Sequence, residues 1–200
     1  MPAPIDFYFD FSSPYGYLGS HKIDALAAKH GREALWRPYL LGAAMKVTGQ
    51  APLPSIPLKG DYAKRDFLRS ARFHGVPYRH PTTFPIASVA PTRAFYWLNA
   101  KDPKRAKELA RALYAAYFLE DIDTSAAENT IAVAAKLGLD ADEVRAALAE
   151  QAVKDRTKAE VDKAIAIGAF GSPYVVVDGE SFWGVDRFDQ VDRWLATGGF

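Results

Sequence analysis

One stretch of the chain combines residue types that could do chemistry with a spacing that would expose them: Ser12-Ser13-Pro14-Tyr15-Gly16-Tyr17-Leu18-Gly19-Ser20. Pro14 suits the first position of a helix, where a missing N–H costs nothing, and Ser13 before it suits the N-cap. Ahead of it, Ile5, Phe7, Phe9 and Phe11 alternate with Asp6, Tyr8 and Asp10, the period of a strand with one buried face. A strand that turns sharply into a helix leaves a hydroxyl and unpaired N–H groups at the helix mouth, and such a place favours an anion. A Ser-Pro pair at a helix start is in most chains only a cap. The functional reading therefore needs support from the rest of the sequence.

Several chemistries are excluded at once. There is no cysteine, so disulfides, zinc-thiolate sites and Cys-x-x-Cys redox chemistry are ruled out. His21, His30, His74 and His80 show no metal-ligand spacing, and no G-x-S-x-G elbow is present. A net charge of +1 points to neither nucleic acid nor an acidic membrane. No apolar run reaches membrane-spanning length, and the N-terminus lacks a basic segment followed by an apolar one. A soluble, cytoplasmic protein without a signal peptide is expected.

The positioning elements follow from periodicity. The helix opened at Ser13 is expected to run to about His30 and stop at Gly31, with Tyr15, Leu18, Leu26 and Ala27 near one face. A strand over Leu35 to Leu40 completes a βαβ unit. Residues 42–60, with Pro52, Pro54 and Pro57, read as a long loop. A helix follows from Asp61 to Phe73, closing near Gly75, and then an irregular stretch marked by Pro77, Pro81 and Pro85. From Ser88 to about Glu150 the period is helical, with Leu109, Ala110, Leu113 and Tyr117 recurring at three and four. Ser125 with Glu128, and Asp140 with Glu143, fit capping boxes, and Gly138 fits a stop between them. A last helix of this group ends at Gly168. Pro173 opens a strand, Tyr174 to Val177, which Asp178-Gly179 turns into Glu180 to Trp183. Arg187 to Ala196 closes the chain as a helix capped by Asp186. A βαβ half and a ββα half split by helices is the thioredoxin arrangement. The expected fold is α/β, a thioredoxin-like domain of residues 1–41 and 168–200 interrupted by an all-helical domain of residues 42–167. Clefts at such junctions are where ligands bind.

At this point the residues carry a likeness. Phe9-Asp10-Phe11-Ser12-Ser13-Pro14-Tyr15, Lys59-Gly60, Phe170-Gly171-Ser172-Pro173, Val177-Asp178-Gly179 and Phe182-Trp183-Gly184-Val185-Asp186-Arg187 follow one family in order and spacing. The chain resembles the 2-hydroxychromene-2-carboxylate isomerases, which stand with the kappa-class glutathione transferases in the DsbA-like branch of the thioredoxin fold, and the likeness covers essentially the whole chain. It implies glutathione as cofactor, with Ser13 holding its sulfur. It further implies that Ser172 offers backbone groups to the cysteinyl part beside a cis Pro173, Lys59 meets the glycine carboxylate, and Val185 and Asp186 hold the γ-glutamyl end. Gln50 stands where transferase relatives have Asn, and its longer amide could still reach the tripeptide. The resemblance also implies a small aromatic carboxylate as substrate and a homodimer.

The physics agrees. A hydroxyl donating to sulfur stabilises the thiolate and lowers its pKa, Lys59 suits a carboxylate and Asp186 an ammonium. Plainer readings stand beside these: Asp186 as a helix cap, Lys59 as a solvated loop residue, and Arg65, Arg69 and Arg72 as a solvated face rather than a grip on the substrate carboxylate. Tyr15, Phe84, Phe170 and Trp183 could line an aromatic pocket or be core. The leading expectation is an isomerase in which the thiolate adds to the chromene skeleton, permits rotation about the former double bond, and leaves as the trans-o-hydroxybenzylidenepyruvate forms. The alternatives are a kappa-like transferase acting on aromatic electrophiles, and a non-catalytic thioredoxin-like binding module.

Overall fold

The structure is a computed structural model that describes residues 2–200. Four strands, β1 (Ile5–Phe9), β2 (Ala34–Pro38), β3 (Tyr174–Val177) and β4 (Glu180–Trp183), form one sheet in the order β2-β1-β3-β4. β2 runs parallel to β1, whereas β3 and β4 are antiparallel to their neighbours, with Phe7 opposite both Trp36 and Val175. Asp178 and Gly179 turn β3 into β4 with φ of 51° and 89°, as a two-residue hairpin of this type requires. The strand period predicts one wet face, and here the structure differs. Ile5, Phe7 and Phe9 pack against Trp36, Phe95 and Tyr114 on one side. On the other, Tyr8 packs with Tyr39, Tyr174, Val161 and Ala164, because a helix covers that face too. Asp10, which alternates with the buried phenylalanines, is itself only 3% exposed.

The helix expected from Ser13 to His30 is two helices, α1 (Pro14–Ser20) and α2 (Ile23–Lys29). The break is made by tighter bonds, His21 N–H to the Leu18 carbonyl and Lys22 N–H to the Gly19 carbonyl. Gly16 and Gly19 weaken helix propensity here, and packing explains them. A Cβ on Gly19 would lie 3.2–3.3 Å from Pro173, Phe188 and Phe7, so a side chain there would have to push its neighbours aside. The stretch read as a loop contains α3 (Leu41–Thr48), which Gly49 ends at φ 70°. Its prolines all fall later, around a 3-10 turn at Leu53–Ser55. α4 (Lys59–His74) starts two residues before the expected position and stops at Gly75.

Next come α5 (Val89–Asn99), α6 (Pro103–Phe118), α7 (Ala127–Lys136), α8 (Ala141–Ala149) and α9 (Gln151–Ala166). α5 packs on each of the other four. Asp140 caps α8 as read, accepting from the Asp142 and Glu143 amides at 2.9 Å. The box at Ser125 does not form: its hydroxyl donates to Asp123, and Ala126 takes the N-cap position of α7. Nor does Asp186 cap the last helix. It lies inside a 3-10 turn, Val185–Arg187, from which α10 (Phe188–Thr197) continues with no side-chain cap. α5 and α6 share one continuous core with the sheet, and polar ties reinforce it: the Tyr96 hydroxyl donates to the Pro38 carbonyl at 2.7 Å.

Where α4 begins, Gly60 is buried against the 3-10 turn, and a Cβ there would approach the Pro54 carbonyl oxygen to 2.3 Å. Backbone cannot yield as a side-chain tip can. Gly60→Ala is expected to lower unfolding free energy by about 1–3 kcal/mol, read from the urea midpoint; a midpoint equal to wild type would contradict this packing.

Candidate active site

β1 ends at Phe9, and the chain turns through residues 10–13 into α1. Ser13 has extended backbone (φ −89°, ψ 117°) and its N–H donates to the Asp10 carbonyl at 3.0 Å. Its Oγ accepts the Gly16 N–H at 3.0 Å, as the N-cap reading requires, and donates to the Ser172 carbonyl at 2.9 Å. The Ser172–Pro173 peptide is cis, as expected. The Ser172 hydroxyl accepts the Asp10 N–H at 2.9 Å. Two serines distant in sequence thus meet in a buried spot. Gly16 makes room for them: a Cβ there would lie 2.5 Å from Ser172 Oγ and 2.8 Å from the Tyr114 hydroxyl. In the first turn of α1, Pro14 has no N–H and Gly16 serves Ser13 Oγ, which leaves the Tyr15 amide as a donor without an intrahelical acceptor. With α1 only seven residues long, any attraction for an anion here would come from local donors rather than from a long helix dipole.

Tyr15 forms the wall between Ser13 and α4. Its hydroxyl donates to Asp66, and its ring meets Phe67 edge-on at 5.1 Å. Burial and then the Asp66 bond push the Tyr15 phenol far above its ordinary pKa. Burial alone would raise the Asp66 carboxyl, but the Tyr15 hydroxyl and Arg69 outweigh it and hold the group below the usual carboxylate range.

The remaining nominated residues divide. Pro173 touches α1 at Gly19, and the Val185–Arg187 turn also packs on α1. Val185 is buried, so it can offer only backbone, whereas Asp186 is exposed beside Arg187 at 3.2 Å. Lys59 is the exposed first residue of α4, whose shaft packs on α1. Gln50 lies just past the end of α3, lining a concavity of about 410 Å³ with Gly42, Met45, Lys46, Gly49 and Pro52. A second concavity, about 420 Å³ between α5, α7 and α8, is lined by none of the nominated residues. The four aromatics do not share one pocket. Tyr15 and Phe84 both meet Phe67, while Phe170 stacks edge-on to Trp183 at 4.8 Å over the loop before Pro173. Gly171 admits that indole, since a Cβ there would meet Trp183 Nε1 at 2.0 Å. Arg65 and Arg72 are exposed, as the plainer reading held, and Arg69 is engaged by Asp66 and Tyr62. Among the described residues no cluster of metal-ligating side chains occurs. Sequence reasoning missed Asp10, Ser88, Tyr114 and Asp66. Asp10 was masked by the strand alternation, and the others carry no local motif.

A four-stranded sheet of this order, a serine at the first helix mouth and a cis proline facing it define a thioredoxin-fold protein whose site keeps a hydroxyl in place of a redox thiol. The family model of the DSBA-like thioredoxin domain matches residues 4–196, and the chain belongs to that family. It is 29% identical to a 2-hydroxychromene-2-carboxylate isomerase from Sphingobium xenophagum, over 98% of this chain and 99% of that protein. It is 27% identical to human glutathione S-transferase kappa 1, over 98% of this chain and 94% of that one. Among solved structures, a 2-hydroxychromene-2-carboxylate isomerase superposes with a TM-score of 0.85 at 27% identity, covering 96% of this chain and 94% of the other. These relatives are enzymes by name.

The Asp66 carboxyl yields a pH test. Its folded-state pKa is depressed, so its contribution is fully present above the unfolded value of about 3.9 and is lost as pH falls through the lower folded value. Asp66→Asn is expected to lower Tm at neutral pH, with the gap to wild type closing on acidification below about pH 4. Parallel Tm curves would contradict the Tyr15–Asp66 linkage.

Proposed function

We propose that the protein is a glutathione-dependent isomerase of the 2-hydroxychromene-2-carboxylate type. The observation that carries this reading is the buried Ser13 hydroxyl, set between the Gly16 amide and the Ser172 carbonyl in a chain without cysteine. A thioredoxin-fold site that keeps the geometry but lacks sulfur is suited to hold sulfur brought by a ligand. The identities of the relatives, and the match of their lengths to this chain, support the same reading.

The residues present fit a tripeptide with two carboxylates and an ammonium. Lys59 would take one carboxylate, the backbone of Ser172 and Val185 the peptide portion, and Asp186 the ammonium; Gln50, just past the end of α3, would add an amide contact. When bound, glutathione supplies a thiolate that adds reversibly to a conjugated double bond. Ser13 would stabilise that charge. Its proton now rests on the Ser172 carbonyl, and a bond to an anionic acceptor is roughly twice as strong as a neutral one, so the hydroxyl would turn toward sulfur once an N–H of the tripeptide takes over that carbonyl. The Tyr15 amide adds a second donor. Both act in a buried place, where fixed donors count for more than in water. The aromatic wall of Tyr15, Phe67 and Phe84 would flank the ring of a small aromatic carboxylate.

Ser13→Ala is expected to keep thermal stabilisation by millimolar glutathione while losing about 10²- to 10³-fold in turnover of the chromene. Unchanged turnover would remove Ser13 from the chemistry. Turnover of an aryl halide with glutathione, and none of the chromene, would place the protein instead with the transferases.

A further inference from the structure

The least exposed carboxylate at this end of the molecule belongs to Asp10, three residues before Ser13 and outside the contacts invoked so far. Four donors converge on it. Oδ1 accepts the Ser12 N–H and the Ser12 hydroxyl, both at 2.7 Å. Oδ2 accepts the Leu41 N–H at the start of α3 at 2.7 Å and the Ser88 hydroxyl at the start of α5 at 2.9 Å. Its backbone is as fully used: the N–H donates to Ser172 Oγ, and the carbonyl accepts both the Ser13 N–H and, at 2.9 Å, the Tyr114 hydroxyl from α6. One residue therefore ties the Ser13 turn to the loop before Pro173 and to three helices.

The donors show what is given up for this. Ser88 occupies the N-cap position of α5, where a serine hydroxyl ordinarily serves the helix's own free amides, yet it makes no such bond and turns to Asp10 instead. A local rule broken without local benefit marks a place where position matters more than stability. The pairing also leaves no freedom. Each carboxylate oxygen receives one backbone N–H and one hydroxyl, so a carboxamide in its place, in either orientation, would set its NH₂ against a backbone N–H that cannot turn away.

We infer that Asp10 is the positioning residue for Ser13: its carboxylate fixes the 12–13 turn, and through Ser88 and Leu41 it makes the placement of the Ser13 hydroxyl depend on where α3 and α5 sit. This rests on the reading of Ser13 given under Proposed function. A positioning role differs from general support in one respect. It acts on the charge state of the bound sulfur more than on retention of the tripeptide, whose charged ends are assigned to residues on other segments.

Asp10→Asn and Ser88→Ala test it. For Asp10→Asn the KM for glutathione should stay within about twofold, kcat should fall between about tenfold and a hundredfold, and the acidic limb of the kcat profile should move to higher pH as the thiol is less well stabilised. Ser88→Ala should follow in the same direction with a smaller loss, and decides the matter if Asp10→Asn does not fold. A kcat and pH limb equal to wild type, a limb moved to lower pH, or a KM that rises in step with the kcat loss would overturn the inference. A crystal structure of the variant gives a readout free of glutathione: the Ser13 Oγ to Ser172 carbonyl separation should open beyond hydrogen-bond range, about 3.5 Å, and its retention would overturn the positioning role. A wild-type protein indifferent to glutathione would instead overturn the proposed reaction, with the variant structure still deciding what Asp10 does.

Discussion

The Ser13 hydroxyl joins two parts of the chain that are 159 residues apart, accepting from the helix it caps and donating to the Ser172 carbonyl. Removing it would strip a cap, worth about 0.5–2 kcal/mol, and leave a buried carbonyl unpaired at about 1–3 kcal/mol. The neighbouring sequence is shaped by the need to bring these backbones together. Gly16 and Gly19 each cost helix stability of about 1 kcal/mol relative to alanine, and each leaves a space that Ser172, Tyr114, Pro173 or Phe188 fills.

Around that junction the site has two electrostatic regimes. Ser13, Ser172 and Val185 are buried, so fixed dipoles there act with little screening. Lys59 and Asp186 are exposed, and charges in water discriminate and steer more than they hold. A ligand with an ionisable sulfur at its centre and charged ends suits this division: the reacting atom is dry and the ends are wet. Tyr15 connects the regimes, since it starts α1 beside Ser13 and is fastened to α4 through Asp66.

Much of the architecture was legible because it rests on local patterns. The alternation in Ile5–Phe11, the β-branched run Tyr174–Val177, the Asp178-Gly179 turn and the Asp140 cap each predict their own element. Ser13 at the N-cap and the two-part sheet came from the same kind of signal. What was not legible depends on tertiary packing. The break at His21–Lys22 is made by tighter bonds that carry no sequence motif, next to two glycines kept for close packing. The burial of Tyr8 follows from α9 lying on a face that the strand pattern alone would leave wet, and that of Asp10 from the starts of α3 and α5 closing over it. Helix α3 was hidden by reading Pro52, Pro54 and Pro57 as marking the whole segment when they mark only its end. Asp186 and Ser125 look like caps by spacing, but the chain enters those helices by other turns.

The most direct measurement is an ultraviolet titration of the glutathione thiolate in complex with the wild-type protein, with the Ser13→Ala complex as reference. The account predicts that the bound thiol ionises well below the ordinary thiol value of about 8.5 in wild type and returns toward it in the variant. A bound thiol that titrates at the ordinary value, or identically in both proteins, would contradict it.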